Sequence, residues 1–216
     1  MYIVVVANGE FLYPTRLMAV LDRADRVIAA DGGANWLMAQ HRPPDVLVGD
    51  MDSVSPRVLE ALQASGCRLQ RHSPDKDETD AELALREAVA MGAERITLLG
   101  ALGGRIDHAL ANILLLAMPE LCGIDTSIYD GRSWLSIVSG DGAISGQVGD
   151  TVSLIPFGGD VEGIVTTGLK YPLRDESLFL GPARGVSNVL LQAVGHISVR
   201  RGKLLVVRTP ICDLES

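Results

Sequence analysis

Four runs of this chain are apolar almost throughout: residues 3–7 (IVVVA), 26–30 (RVIAA), 46–49 (VLVG) and 95–99 (RITLL). A strand with one wet face alternates polar and apolar residues, whereas a run apolar on both faces must be covered on both. The stretches between the runs carry apolar residues at helical spacing. Strands alternating with helices predict a mostly parallel, doubly wound sheet. The helix boundaries are marked as well. Ser55 and Pro56 open a helix that ends near Gly66; Thr79 with Glu82 forms a capping box for one ending at Gly92. Asp107 stands at the expected N-cap of a third helix, which Pro119 stops.

From about residue 140 the pattern changes to short β-type segments broken by Gly and Pro. This predicts a smaller all-β sandwich domain following the α/β sheet domain, with the chain dividing into residues 1–138 and 139–216. The segment GHISVRRGKLLVVR, residues 195–208, is expected to be a hairpin turning at Arg201 and Gly202.

Composition excludes several function classes. The formal charge is −8 and no basic run exceeds two residues, so a surface that neutralises a nucleic-acid backbone is not expected. The apolar N-terminal run has no basic segment before it and no small-residue cleavage site after it, so it is expected to be a strand and not a signal. No apolar segment nears the roughly 20 residues that cross a bilayer, and no membrane partner is expected. Cys67, Cys122 and Cys212 lie far apart without a Cys-x-x-Cys pair. They are expected to be reduced residues of a cytoplasmic protein.

In open α/β sheets ligands bind at the carboxyl ends of strands, so the polar residues just after each run are the candidates for chemistry. Asp31-Gly32-Gly33 follows the second run, Asp50 and Asp52 the third, and Gly103-Gly104-Arg105 with Asp107 and His108 the fourth. Asp75, Asp77, Glu78 and Asp80 precede a helix between them. Singly, each reads as a turn or a cap. Together, like charges on one rim repel unless a cation compensates them, and hard oxygen ligands of this kind suit Mg²⁺ shared with substrate phosphates. The phosphate side has neither a P-loop nor a dinucleotide fingerprint. The GGR turn ahead of a helix, with backbone N–H groups and a guanidinium, is the expected anion site.

The motifs ADGGAN (30–35), GDMDS (49–53), DKDETD (75–80), GGRIDH (103–108), TTGLKYPL (166–173) and GVSN (185–188) resemble the thiamine pyrophosphokinase family in order along nearly the whole chain. The resemblance implies a Mg²⁺-dependent enzyme that moves the pyrophosphoryl group of ATP to the hydroxyl of thiamine, leaving AMP. It also implies a homodimer with the active site near the subunit interface. It assigns Asp50, Asp52, Asp80 and Asp107 to the catalytic acidic cluster, the first three as metal ligands. Asp31, Gly32, Lys76, Thr79, Gly104 and Arg105 would lie along ATP, Lys76 standing where Gln is common. Tyr171, Ser187 and Asn188 match the thiamine segment, Tyr171 replacing a Trp found in some members. Two alternatives stay open: a Mg²⁺-dependent phosphotransferase or pyrophosphotransferase acting on another alcohol, and a non-enzymatic nucleotide or thiamine diphosphate sensor.

Overall fold

The computed structural model describes residues 1–211; Cys212 lies outside the described residues. Two compact units divide at Gly131 and Arg132, ahead of the boundary expected at 138. The strand Trp134–Val138 pairs antiparallel with Leu204–Thr209 and so goes with the second unit.

The first unit contains β1 (Tyr2–Val6), α1 (Pro14–Leu21), β2 (Arg26–Ala30), α2 (Gly33–Ala39), β3 (Val46–Gly49), α3 (Pro56–Ser65) and β4 (Arg68–Arg71). It continues with α4 (Asp80–Ala90), β5 (Arg95–Leu99), α5 (Ile106–Leu115) and β6 (Asp125–Tyr129). Every pairing in the order β6-β5-β1-β2-β3-β4 is parallel. Val4, Ile28, Leu47 and Leu98 lose all their exposure, as doubly covered strands require. α4 lies across β1, β2 and β3. The order reverses at β1, because the chain moves outward through β2, β3 and β4 and then returns to the other flank for β5 and β6. The carboxyl ends of β1 and β5 therefore border a crevice.

Helix boundaries follow their local chemistry. Pro56 occupies the first position of α3, where no N–H is needed, and Gly66 closes the helix at φ 82. The Thr79 side chain accepts the Glu82 N–H at 3.2 Å, while the Glu82 carboxylate takes the Arg86 guanidinium at 2.9 Å. The N-cap of α5 is Arg105, not Asp107, which lies inside the first turn. A carboxylate there still complements the helix dipole.

The second unit contains β7 (Trp134–Val138), β8 (Asp141–Ser145), β9 (Thr151–Pro156) and β10 (Val161–Thr167). β11 (Arg174–Leu178), β12 (Asn188–Val189), β13 (Val194–Arg201) and β14 (Leu204–Thr209) complete it. One antiparallel layer runs β12-β9-β14-β7 and the other β11-β10-β13-β8. Val152, Leu154 and Val206 from the first share a core with Ile164, Ile197 and Val199 from the second, which makes a sandwich. The expected hairpin at Arg201 and Gly202 is instead a crossing: β13 pairs with β10 and β8, and β14 with β7 and β9. β13 alternates buried and exposed residues while β14 opens with three buried ones, and each finds its partners in a different layer. Gly202 turns at φ 98, where an added Cβ would meet the Asp160 carbonyl at 2.8 Å.

Asp150 is a fully buried charge in this unit. Its carboxylate accepts from Arg208 Nη1 at 2.9 Å, the Gln147 N–H at 3.0 Å and the Ile211 N–H at 3.1 Å. Arg208→Leu leaves that charge without its cation and is expected to cost about 3–5 kcal/mol in urea unfolding. A loss below 1 kcal/mol would show that the backbone donors suffice.

Candidate active site

Three carboxylates converge at the strand ends. Asp31 follows β2, Asp50 follows β3, and Asp80 opens α4, and each offers an oxygen within 4.8 Å of the others. Asp31 is only 6% exposed, and its Oδ1 has no hydrogen-bond donor. Gly49 makes the approach possible: an added Cβ would lie 3.0 Å from Asp80 Oδ1 and 3.1 Å from Asp31 Cβ, and φ is 142 there. Burial raises the carboxyl pKa of Asp31 above its ordinary value; Ser53 and Gly32 pull it back, and the charges of Asp80 and Asp52 push it further up. A buried, donor-poor carboxylate beside two more has the chemistry of a hard-cation ligand set.

Lys76 supplies the positive charge inside this group. Its Nζ is 2.9 Å from Asp80 Oδ1 and 3.8 Å from Asp50 Oδ2, and its side chain is 13% exposed. The contact with Asp80 Oδ1 is an ion pair lacking hydrogen-bond geometry, since that oxygen is otherwise unpartnered. Burial acts to lower the ammonium pKa, but Asp80, Asp50 and Asp31 outweigh it and leave it raised.

Asp52 does not join the three. The backbone turns at Met51, which has φ 69 and buries its side chain, so the extended geometry that would point Asp50 and Asp52 the same way is lost. The Asp52 N–H donates to Asp50 Oδ1 at 3.0 Å, and its carboxylate accepts from the Ser53 hydroxyl at 2.8 Å. Asp107 also stands apart, paired with Arg105 at 2.5 Å. The Arg105 hydrogen bond holds its carboxyl down at about 2.

A cavity of about 580 Å³ opens beside the carboxylates, lined by Asp31, Lys76, Thr79, Asp80, Gly104 and Arg105 among others. Gly32 is not in its lining; it is the N-cap of α2, packed against the Asn8 side chain. The sequence reading passed over the end of β1, where Asn8, Gly9 and Glu10 also line the cavity. The same rule of inspecting polar residues after each strand finds them. Glu10 alters the expected anion site, because Gly104 donates its N–H to Glu10 Oε1 at 2.8 Å. Asn112, a polar residue in the apolar run of α5, also lines the cavity and donates to the Ala101 carbonyl at 2.7 Å.

In the second unit, Tyr171, Ser187 and Asn188 lie together. The Asn188 amide clamps the Tyr171 backbone, accepting its N–H at 3.0 Å and donating to its carbonyl at 2.7 Å. Tyr171 is 60% exposed, so its ring is not core packing between Leu169 and Leu173; Lys170 Nζ lies 5.4 Å from the ring centroid. Ser187 adopts φ 61 and donates its N–H to Ser153 Oγ.

Residues 17–125 match the family model for the thiamin pyrophosphokinase catalytic domain, and residues 143–204 match the model for its vitamin B1 binding domain. The chain belongs to the thiamine pyrophosphokinase family. It is 29% identical to the thiamine pyrophosphokinase of Bacillus subtilis (strain 168) over 207 residues, 95% of this chain and 97% of the relative. Thiamine pyrophosphokinase 1 of Oryza sativa subsp. japonica is 32% identical over 228 residues, covering 91% of this chain and 83% of that one. The crystal structure of the Bacillus subtilis protein superposes with a TM-score of 0.87 at 29% identity, over 97% of this chain and 99% of that one. The catalytic-domain match spans every expected nucleotide and metal residue, and the vitamin B1 match spans Tyr171, Ser187 and Asn188.

Two tests follow from the electrostatics of this thiamine pyrophosphokinase fold. A raised carboxyl pKa favours folding at low pH, and that contribution is lost as pH rises through the folded value, so a charged Asp31 costs stability at neutral pH. Asp31→Asn is expected to melt no lower than wild type in chelator at pH 7.5. A lower Tm in chelator would contradict the cost assigned to Asp31. Carboxyl carbon NMR is expected to find Asp107 titrating at about 2, and Arg105→Ala should return it toward 3.8, the ordinary Asp value. An unmoved titration would remove Arg105 as the cause.

Proposed function

We propose that the chain transfers the pyrophosphoryl group of ATP to the hydroxyl of thiamine through the cavity at the ends of β1 and β5, with Mg²⁺ held by Asp31, Asp50 and Asp80. The observation that carries this reading is the buried, donor-poor Asp31 beside Asp50 and Asp80 at the mouth of a cavity that also holds Lys76, Thr79 and Arg105. When bound, Mg²⁺ neutralises the phosphate oxygens and draws charge from the breaking bond.

The thiamine oxygen attacks the β-phosphorus in line, the bond from that phosphorus to the oxygen bridging to the α-phosphate breaks, and AMP leaves with that oxygen. No protein nucleophile is needed, so the residues position groups and balance charge. Arg105 and the Gly104 N–H face the phosphates, the latter after giving up Glu10. Asp107, which the Arg105 hydrogen bond holds at about 2, is a poor acceptor for the hydroxyl proton, which passes to water. Asp52 stays at the rim, where its charge acts on Asp31.

The first unit carries nucleotide and metal, and the second carries thiamine, with the exposed Tyr171 ring available to stack on a cationic heterocycle. The protein works as a homodimer in the cytoplasm. Supporting the dimer, Ile106, Leu110 and Leu114 form an exposed apolar stripe on α5, and Phe179, Leu180 and Leu191 are exposed in the second unit. Cys67 and Cys122 are unbridged, in keeping with a reducing compartment, and no helix among the described residues is long and apolar enough to cross a membrane.

Incubation with ATP, Mg²⁺ and thiamine, followed by chromatography, is expected to yield AMP and thiamine diphosphate together, with no AMP when thiamine is omitted. Asp80→Asn should lower kcat/KM by about 100-fold or more. Tyr171→Ala should raise the KM for thiamine and leave that for ATP unchanged. Release of ADP in place of AMP would indicate a simple phosphotransferase, and nucleotide binding without turnover would indicate a sensor.

A further inference from the structure

We propose that Lys76 is an exchangeable internal counter-ion, which holds the carboxylates of Asp50 and Asp80 until a divalent cation takes them and which then turns to the phosphates of the nucleotide in the same cavity. This rests on the assignment of Asp31, Asp50 and Asp80 as the metal ligands. The ammonium is already a cation held by two of the three carboxylates, at 2.9 and 3.8 Å, and its side chain is largely withdrawn from solvent. Any cation taken by the same oxygens competes with it directly. Three carboxylates with one ammonium still leave a net charge of −2, enough to attract a divalent ion, and that ion meets the ammonium on the oxygens of Asp50 and Asp80, where the two cations repel. A lysine suits that exchange. It is a flexible point charge with no fixed fork of donors to lose. Lys76 precedes α4 by four residues and lines the cavity with Thr79 and Arg105, so release from Asp80 leaves it within a space that also accepts phosphate.

Two consequences follow with opposite signs. Replacing Lys76 by an uncharged residue of similar length removes the competitor and strengthens binding of the bare metal. The same replacement removes a positive charge from the phosphate side and weakens binding of ATP. A residue that only packed against Asp80 would not produce this pair of effects.

The test is titration of nucleotide-free protein with Mn²⁺, following the free ion by electron paramagnetic resonance, for wild type, Lys76→Gln, Lys76→Arg and Asp31→Asn, with circular dichroism to establish folding. Lys76→Gln is expected to bind Mn²⁺ about ten-fold or more tightly than wild type, because a like charge within about 4 Å is gone; Lys76→Arg should stay near wild type. In parallel calorimetry with metal present, Lys76→Gln should bind a non-hydrolysable ATP analogue several-fold more weakly. Equal or weaker Mn²⁺ binding by Lys76→Gln, with binding still lost in Asp31→Asn, overturns the counter-ion and leaves the metal site standing. Wild-type Mn²⁺ affinity in Asp31→Asn overturns the ligand assignment and the counter-ion together.

Discussion

The unfavourable meeting of Asp31, Asp50 and Asp80 is the constraint around which the first unit is arranged. Three like charges within a few ångströms, one of them buried with an oxygen that has no donor, are stable only if a cation is close. The parallel sheet forces the encounter. β2 and β3 are neighbours, so the residues leaving their carboxyl ends are neighbours too, and α4 brings Asp80 across the same edge. Backbone details complete it. Asp31 accepts φ 44, a conformation that non-glycine residues rarely take, and Gly49 has no Cβ to hold Asp80 and Asp31 apart. Backbone strain and a destabilising charge in one place are the usual mark of a site kept for function at the expense of stability.

Three donors that line the cavity are each engaged by a carboxylate of the first unit. Lys76 balances the carboxylates, and Glu10 takes the Gly104 N–H. Arg105 is engaged by Asp107 in an exposed pair, a contact that water and salt weaken. An anion entering this cavity would therefore exchange one electrostatic partner for another and would not have to create a charge site afresh. This limits the desolvation cost of binding and keeps the free protein folded around an acidic centre.

The fold was legible wherever local chemistry and burial agree. The doubly buried β1, β2, β3 and β5 announce themselves, as do the Pro56 start, the Gly66 stop and the Thr79 cap. β4 was not legible, because an edge strand such as RLQR carries charge that suppresses both aggregation and the apolar signal, and β6 was not legible because Asp125, Thr126 and Ser127 dilute the apolar signal of DTSIY. The crossing at Gly202 escaped notice because two β-type runs around a glycine look the same whether they pair with each other or join different layers. Of the residues singled out in the sequence, Lys76, Thr79, Asp80, Gly104 and Arg105 line one cavity, and Asp50 lies beside Asp80. It could not foresee that the left-handed turn at Met51 separates Asp52 from Asp50, nor that Asp31 takes the third position, since both depend on single backbone angles.

The most direct test of the account is the position of a metal among these side chains. An anomalous difference map from crystals grown with Mn²⁺ and a non-hydrolysable ATP analogue should show a peak bound by oxygens of Asp31, Asp50 and Asp80, with Lys76 Nζ moved off Asp80. A peak held by Asp50 and Asp52 without Asp31, or one with Lys76 still paired to Asp80, would contradict it.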